Sequence, residues 1–398
     1  VKRVVITGVG AVTPLGNDAV STWQGLRAGR SGISRLTTFD ASTFDVRIAG
    51  QVKGIRSDAA LFGVMAAREA VRDAGNGWQE IDPYRRGVAV GATVGRPELQ
   101  ELVDMSAVVA AGVFPVQEPA AVRRREQNTG VAAIADVAGC RGPFISVSTA
   151  CAGAGHAVGE AFRLIQDGDC GLVLAGGFDS LTSWLDILGF SLLRALTSEY
   201  NSEPERGSRP FDARRSGFVV GEGAVVVMLE DREHALARGA RIQAEILGYG
   251  STLNAYRITD SPPDGGGAVA AMRDAVAESG LAITDIDYVA AHGTGTPGND
   301  VSETAAIKEV FGEHAYRLAV SSPKSMTGHL TSAAAGVNLL AALGALREQT
   351  VPPTINLEHP DPKLDLDYVP RHARKLRVRA AMVNAFAFGG TNVSLVVA

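Results

Sequence analysis

The chain has 398 residues, more than one small core organises, so two or three domain-sized units are expected. With 46% hydrophobic and 20% charged residues it has an ordinary globular composition, and its 46 glycines show no collagen-like period. A net charge of −5 argues against generic nucleic-acid binding, and three cysteines (Cys140, Cys151, Cys170) are too few and too odd in number for a disulfide framework.

In chain order, a strand is predicted over 3–7, where Val4-Val5-Ile6 is cut short by Thr7 and Gly8 and so reads as a buried strand, not a signal peptide. A helix over 59–73 and a strand over 87–91 follow. A strand over 144–148 runs into a small-residue helix over 152–165, and strands over 172–175 and 224–229 close the first half. The second half reads as strand 242–248, helix 267–279, strand 287–291, helix 301–311, strand 318–321, helix 332–346 and strands 381–385 and 392–397. The stretches 197–215 and 351–370, the latter with five of the 17 prolines, read as surface loops. No apolar run approaches the roughly 18 residues of a membrane-spanning helix. No membrane partner and a cytoplasmic location are expected.

Apolar strands alternating with helices predict an α/β protein with covered sheets. The order also repeats weakly. Gly217–Gly223 precedes Ala224-Val225-Val226-Val227 much as Phe386–Asn392 precedes Val393–Val397, and strand 318–321 leads to His329 as strand 144–148 leads to Cys151. Two duplicated α/β halves are expected, 1–240 and 241–398, with the boundary near 231–241. Chance similarity of two Gly-rich turns is the alternative.

Three strand-end segments carry candidate chemistry. Val147-Ser148-Thr149-Ala150-Cys151 ends a strand and opens a helix, where unpaired N–H groups and the helix dipole favour a thiolate and a backbone N–H can serve an oxyanion. The alternative for Cys151 is a small buried hydrophobe. Ala291-His292-Gly293-Thr294-Gly295-Thr296 ends a strand in a histidine able to reach a cleft, or merely hydrogen-bonded in place. Ser321-Ser322-Pro323-Lys324-Ser325-Met326-Thr327-Gly328-His329 repeats the pattern, with Lys324 calling for an acid partner, Asp300 or Glu303. His156 lies about 140° round the helix from Cys151 and faces elsewhere. Gly8-Val9-Gly10 begins like a dinucleotide fingerprint, but Thr13 replaces the third glycine and no acidic ribose partner follows, so no nucleotide site is expected.

Together these segments resemble the β-ketoacyl-[acyl carrier protein] synthases of the thiolase superfamily, closest to the synthase II type. The likeness includes Val4–Gly8, Thr149-Ala150-Cys151, Ser208-Arg209-Pro210-Phe211-Asp212, Gly217–Gly223, His292–Thr296, Lys324–His329 and Asn384–Asn392. The spacings of 141 residues from Cys151 to His292 and 37 from His292 to His329 fit as well. The resemblance implies a thiolase-like fold, with two α/β halves forming a five-layered αβαβα sandwich. It implies decarboxylative Claisen condensation in type II fatty acid or polyketide synthesis, including a reduced polyene. Cys151 would carry the acyl chain, and His292 and His329 would hold the malonyl thioester oxygen. The N–H groups of Cys151 and Phe388 would hold the oxyanion, with Phe388 gating and Gly389 and Gly390 giving its turn mobility. Thr294 and Thr296 would bind the pantetheine arm, and Lys324 would order the site through Asp300 and Glu303.

The implied partners are an acyl carrier protein, met by Arg209 and the Arg123-Arg124-Arg125 run (Arg124 foremost), and a second chain. That chain is either another copy or a chain-length-factor-like homologue. A non-catalytic subunit retaining Cys151 is the rival reading. No metal is implied, and no cofactor beyond the phosphopantetheine that the carrier brings. The absence of cysteine after Cys170 argues against a thiolase. Three departures stand out: Asn338 where the family has Glu, which puts an acid-lined ion site in doubt; a shortened segment at 55–59; and a divergent segment at 107–128 that points to an unusual acyl substrate or partner.

Overall fold

The computed structural model describes residues 1–398 with the exception of the Arg124 side chain. Ten strands build one mixed sheet. They are β1 (Val4–Val12), β2 (Arg86–Gly91), β3 (Phe144–Val147), β4 (Leu172–Ser180) and β5 (Glu222–Asp231), then β6 (Ala244–Leu253), β7 (Ile286–Ala290), β8 (Ala319–Ser321), β9 (Ala380–Phe386) and β10 (Thr391–Val397). The spatial order is β8-β7-β9-β10-β6-β1-β5-β4-β2-β3. Read outward from the centre, β1-β5-β4-β2-β3 and β6-β10-β9-β7-β8 have the same chain order and the same directions. The first two pairings of each half are antiparallel and the last two parallel. A short antiparallel seam, Val4↔Ile246 to Ile6↔Ala244, joins the halves into one sheet.

The principal helices are α1 (Ala59–Asp73), α2 (Leu99–Ala110), α3 (Gly153–Gln166), α4 (Trp184–Leu192), α5 (Gly266–Ser279), α6 (Pro297–Phe311) and α7 (Ala334–Glu348). α3 and α7 lie between the two half-sheets. Every residue from Ala334 to Ala345 is buried, as a helix with neighbours on all sides requires. α1 covers the outer face of the first half and α5 that of the second, giving a central core between the half-sheets and an outer core on each side. This is the five-layered thiolase-like sandwich.

The repeat extends to backbone packing. A Cβ on Gly8 or Gly10 of β1 would come within 2.0 or 1.9 Å of the carbonyl oxygens of Ala70 and Ala66 on α1. On Gly248 and Gly250 of β6 it would come within 2.0 Å of those of Ala275 and Ala271 on α5. These glycines exist for close helix–strand approach, which accounts for the Gly8-Val9-Gly10 string without a nucleotide.

The stretches 197–215 and 351–370 are not plain surface loops. Ser208, Arg209, Phe211 and Asp212 are buried, as are Thr354, Leu364, Tyr368 and Val369. Asp212 ties the two together by accepting the N–H groups of Glu358 and His359, each at 2.8 Å. Among the described residues, no helix is long and apolar enough to cross a membrane.

Candidate active site

β3 ends in a turn in which Ala150 takes φ +46°, and Cys151 follows in a short 3-10 turn before α3. The second half repeats this: Thr331 takes φ +45° in a 3-10 turn just before α7. A non-glycine residue in the left-handed region is strained, the more so when β-branched, and persists where the surroundings over-determine it. The two turns meet between the half-sheets. Gly153 lies so close to Ser332 that a Cβ on it would sit 3.1 Å from the serine Cβ. Duplication thus places the nucleophile turn of one half against the His329 turn of the other.

Cys151, His292, His329, Thr294, Thr296 and Phe388 line one cavity of about 260 Å3. The His292 and His329 rings stand edge to face, 5.5 Å apart between centroids, and Phe218 packs on His329 at 5.2 Å. The backbone N–H groups of Phe388 and of Cys151 itself act to lower the pKa of the Cys151 thiol. Burial nevertheless pushes the thiol up to about 11, with Lys324 and the two N–H groups opposing and Asp179 reinforcing. The local N–H groups favour a thiolate, the direction expected, but desolvation of the anion outweighs them.

Both imidazoles are held neutral. Burial drives His292 and His329 well below the ordinary histidine range, and the Lys324 cation lowers them further. The His329 Nδ1 accepts the N–H of Thr331 at 3.2 Å, so its proton sits on Nε2. The Gly217–Gly223 motif has a structural purpose here. His329 N–H donates to the Val219 carbonyl at 2.7 Å and Gly221 N–H donates to the His329 carbonyl at 2.8 Å.

Asp300 and Glu303 act differently from the expectation that they pair with Lys324. Both Glu303 oxygens accept backbone N–H groups, from His292 and Gly293 at 2.8 Å each. Asp300 accepts those of Phe211 at 2.7 Å and Gly295 at 3.2 Å. The carboxylates shape the His292–Thr296 turn. Lys324 is buried with no hydrogen-bond partner for Nζ among the described residues. Its pKa falls to about 8 because burial outweighs the attraction of Glu303, Cys151 and Asp300.

Thr294 and Thr296 share a hydroxyl hydrogen bond of 2.9 Å at the cavity wall. Gly389 and Gly390 take φ +88° and +84°, and Gly389 N–H donates to the Ile258 carbonyl at 2.6 Å. The Phe388 turn is thereby joined to the segment 254–261, which also lines the cavity mouth through Thr259, Asp260 and Ser261. Asn338 donates its amide to the carbonyls of Ala291 and Asn384, at 2.9 and 3.0 Å. His156 faces away from the cavity, as expected, bonding Thr149 and Ser251 through its two ring nitrogens.

Arg209 is not a carrier contact. It is 1% exposed, pairs with Asp212 and Glu358 and stacks on Tyr200. An arginine in a polar stretch looked like a surface group, but the segment turns inward to staple two loops. Arg125 is engaged by Glu101 and Gln117, and the side chain of Arg124 lies outside the described residues. The cation at the cavity mouth is Arg194, exposed just beyond the end of α4 at φ +52°. Nothing in Leu192-Leu193-Arg194-Ala195 marked it. Sequence reasoning also passed over Asp179, although an acid directly after the apolar run Leu172–Phe178 is itself a signal.

The fold and the Cys-His-His cavity define the class: a thiolase-fold condensing enzyme. Family models for the β-ketoacyl synthase N-terminal domain match residues 1–65 and 56–235, and the model for the C-terminal domain matches 243–358. The chain is similar to the 3-oxoacyl-[acyl-carrier-protein] synthase 2 of Synechocystis sp., at 43% identity over 99% of this chain and 97% of the relative. It is also similar to that of Coxiella burnetii, at 42% over 99% and 98%. Among solved structures, the ishigamide ketosynthase/chain length factor superposes with a TM-score of 0.90 at 34% identity, over 100% of this chain and 98% of that one. A type II polyketide synthase ketosynthase, solved with its acyl carrier protein and bound to the hexaketide, superposes with a TM-score of 0.92 at 31% identity, over 100% and 98%. The chain belongs to the β-ketoacyl synthase family and is a condensing ketosynthase.

Proposed function

We propose that this chain extends an acyl group held on Cys151 by two carbons drawn from a malonyl thioester on an acyl carrier protein. In the first half-reaction the Cys151 sulfur attacks the acyl thioester. The new thioester forms as the carrier's thiol leaves with the proton that Cys151 gives up. In the second, the malonyl carboxylate leaves as CO2, and the electron pair of the broken C–C bond forms an enolate. The Nε2–H of His329 and an N–H of His292 hold the enolate oxygen. The enolate carbon attacks the acyl-Cys151 carbonyl, whose oxygen is held by the Cys151 and Phe388 N–H groups. Collapse expels the Cys151 thiolate, which is reprotonated, and leaves the β-ketoacyl chain on the carrier.

One observation carries this reading: the Cys151 thiol shares one cavity with Phe388 and two neutral imidazoles. Imidazolium could not persist there, and neutral imidazole offers the required N–H. In this reading Thr294 and Thr296, on the cavity wall, bind the pantetheine arm, and the exposed Arg194, not the buried Arg209, meets the acidic carrier. The reaction needs no cofactor except the arm that the carrier brings.

The partner is a second ketosynthase-type chain, a copy or a chain-length homologue. β3 ends the sheet with an open edge. Val103 of α2 and, in the divergent segment 107–128, Val109, Phe114 and Val116 are exposed, the last two by 83% and 90%. Large apolar groups exposed together with a strand edge call for a covering surface. This divergence favours a specialised acyl chain within fatty acid or type II polyketide synthesis. Intact mass of the chain after incubation with acyl-carrier thioester tests the reading. A Cys151 adduct that becomes an extended product on adding malonyl carrier supports it. No adduct and no decarboxylation, with a homologous chain supplied, would assign the chain to the non-catalytic role.

A further inference from the structure

Asp179, the penultimate residue of β4, is fully surrounded by protein, 2% exposed, and touches none of the proposed reacting groups. A single carboxylate oxygen, Oδ2, accepts three donors: Thr331 Oγ1 at 2.5 Å, Ser332 N–H at 3.0 Å and Thr93 Oγ1 at 2.9 Å. Thr331 and Ser332 lie more than 150 residues away, in the strained turn that follows His329. Thr331 is the residue at φ +45°, and its N–H is the one that His329 Nδ1 accepts.

A β-branched residue leaves the left-handed region unless something holds it there. The carboxylate grips its hydroxyl and the next N–H, and with both held the Thr331 N–H points at Nδ1. That bond decides which ring nitrogen of His329 carries the proton.

We propose that Asp179 is a positioning residue of the second half-reaction: by holding the Thr331-Ser332 turn it keeps His329 as the Nε2–H tautomer that receives the malonyl thioester oxygen. The inference rests on the role of His329 proposed above. It separates the two half-reactions, because acylation of Cys151 draws on the Cys151 and Phe388 N–H groups and not on His329.

The test uses the full chain, with its partner chain if one is required, and four variants: Asp179→Ala, Asp179→Asn, Thr331→Val and His329→Ala. Acyl transfer to Cys151 is followed by intact mass and malonyl-carrier decarboxylation by CO2 release. Asp179→Ala and Thr331→Val should each lose about tenfold or more in decarboxylation, the scale of losing a charge-assisted hydrogen bond. Acylation should stay within about threefold of wild type, since its donors are untouched. Asp179→Asn keeps an acceptor at the Oδ2 position and should retain most of the decarboxylation. A 13C-histidine spectrum should show His329 as the Nε2–H tautomer in wild type and a mixture in Thr331→Val.

Thr331→Val leaves the carboxylate in place, so it answers the question even if Asp179→Ala fails to fold. Normal decarboxylation in Thr331→Val, or equal losses in both half-reactions, would overturn the proposal while His329→Ala remains defective. Normal decarboxylation in His329→Ala would instead overturn the role given to His329.

Discussion

Replacing Lys324 with Met should make the protein more stable at neutral pH while impairing it as an enzyme. Nζ is buried without a hydrogen-bond partner among the described residues, and the lysine's pKa falls from the ordinary 10.5 to about 8. The unfolded chain therefore binds the proton more tightly than the folded one. At about 1.4 kcal/mol per unit, the buried ammonium costs the fold up to about 3 kcal/mol near pH 7. The sign fixes the pH window. A base whose folded pKa is lowered destabilises fully below about 8, and that cost fades as pH rises from about 8 to 10.5. Urea unfolding of wild type and Lys324→Met at pH 7 and pH 9.5 measures it. The variant should be more stable at pH 7, with the gap narrowing at pH 9.5. A variant less stable than wild type at pH 7 would refute the reasoning. It would show that Glu303 and Asp300 repay the ammonium's desolvation in full.

Other expectations follow from the same geometry. Gly10→Ala and Gly250→Ala drive a Cβ to 1.9 and 2.0 Å from a helix carbonyl, so each should cost several kcal/mol, about the scale of severe overpacking, in thermal or urea melts. Arg209→Ala should destabilise the fold by about 1–3 kcal/mol, by taking a buried cation from Asp212 and Glu358, with no specific change in carrier KM; Arg194→Ala should raise carrier KM and leave the melting curve alone. Iodoacetamide labelling of Cys151 should be slow at pH 7 and still climbing at pH 9.5, since the thiol lies near 11; a plateau by pH 8 would contradict that.

The ten strands of the sheet were all legible because each is a run of apolar, often β-branched residues stopped by Gly, Ser or Asp. Their true lengths were not. β1 runs on through Gly8 and Gly10 to Val12, since glycines that break a propensity pattern are required by the helix above them. α2 went unread because none of its residues is buried, so its apolar residues form no stripe toward this chain's own core; α4 went unread although Trp184, Ile187 and Leu188 pack on such a core. Cys151, His292 and His329 were visible as reactive types at strand ends. Their supports were not, because each acts across the fold: Asp179 reaches Thr331, Glu303 reaches backbone N–H groups instead of Lys324, and the buried Arg209 joins two loops. A sequence shows which groups can react more readily than which groups hold them.

The most direct measurement is peptide-mapped mass spectrometry of wild type, His292→Ala and His329→Ala after incubation with an acyl-carrier thioester and then malonyl carrier. The account expects an acyl adduct on Cys151 in all three, discharged as a product two carbons longer in wild type and persisting in the histidine variants. An adduct on another residue, or histidine variants that extend the chain at the wild-type rate, would contradict it.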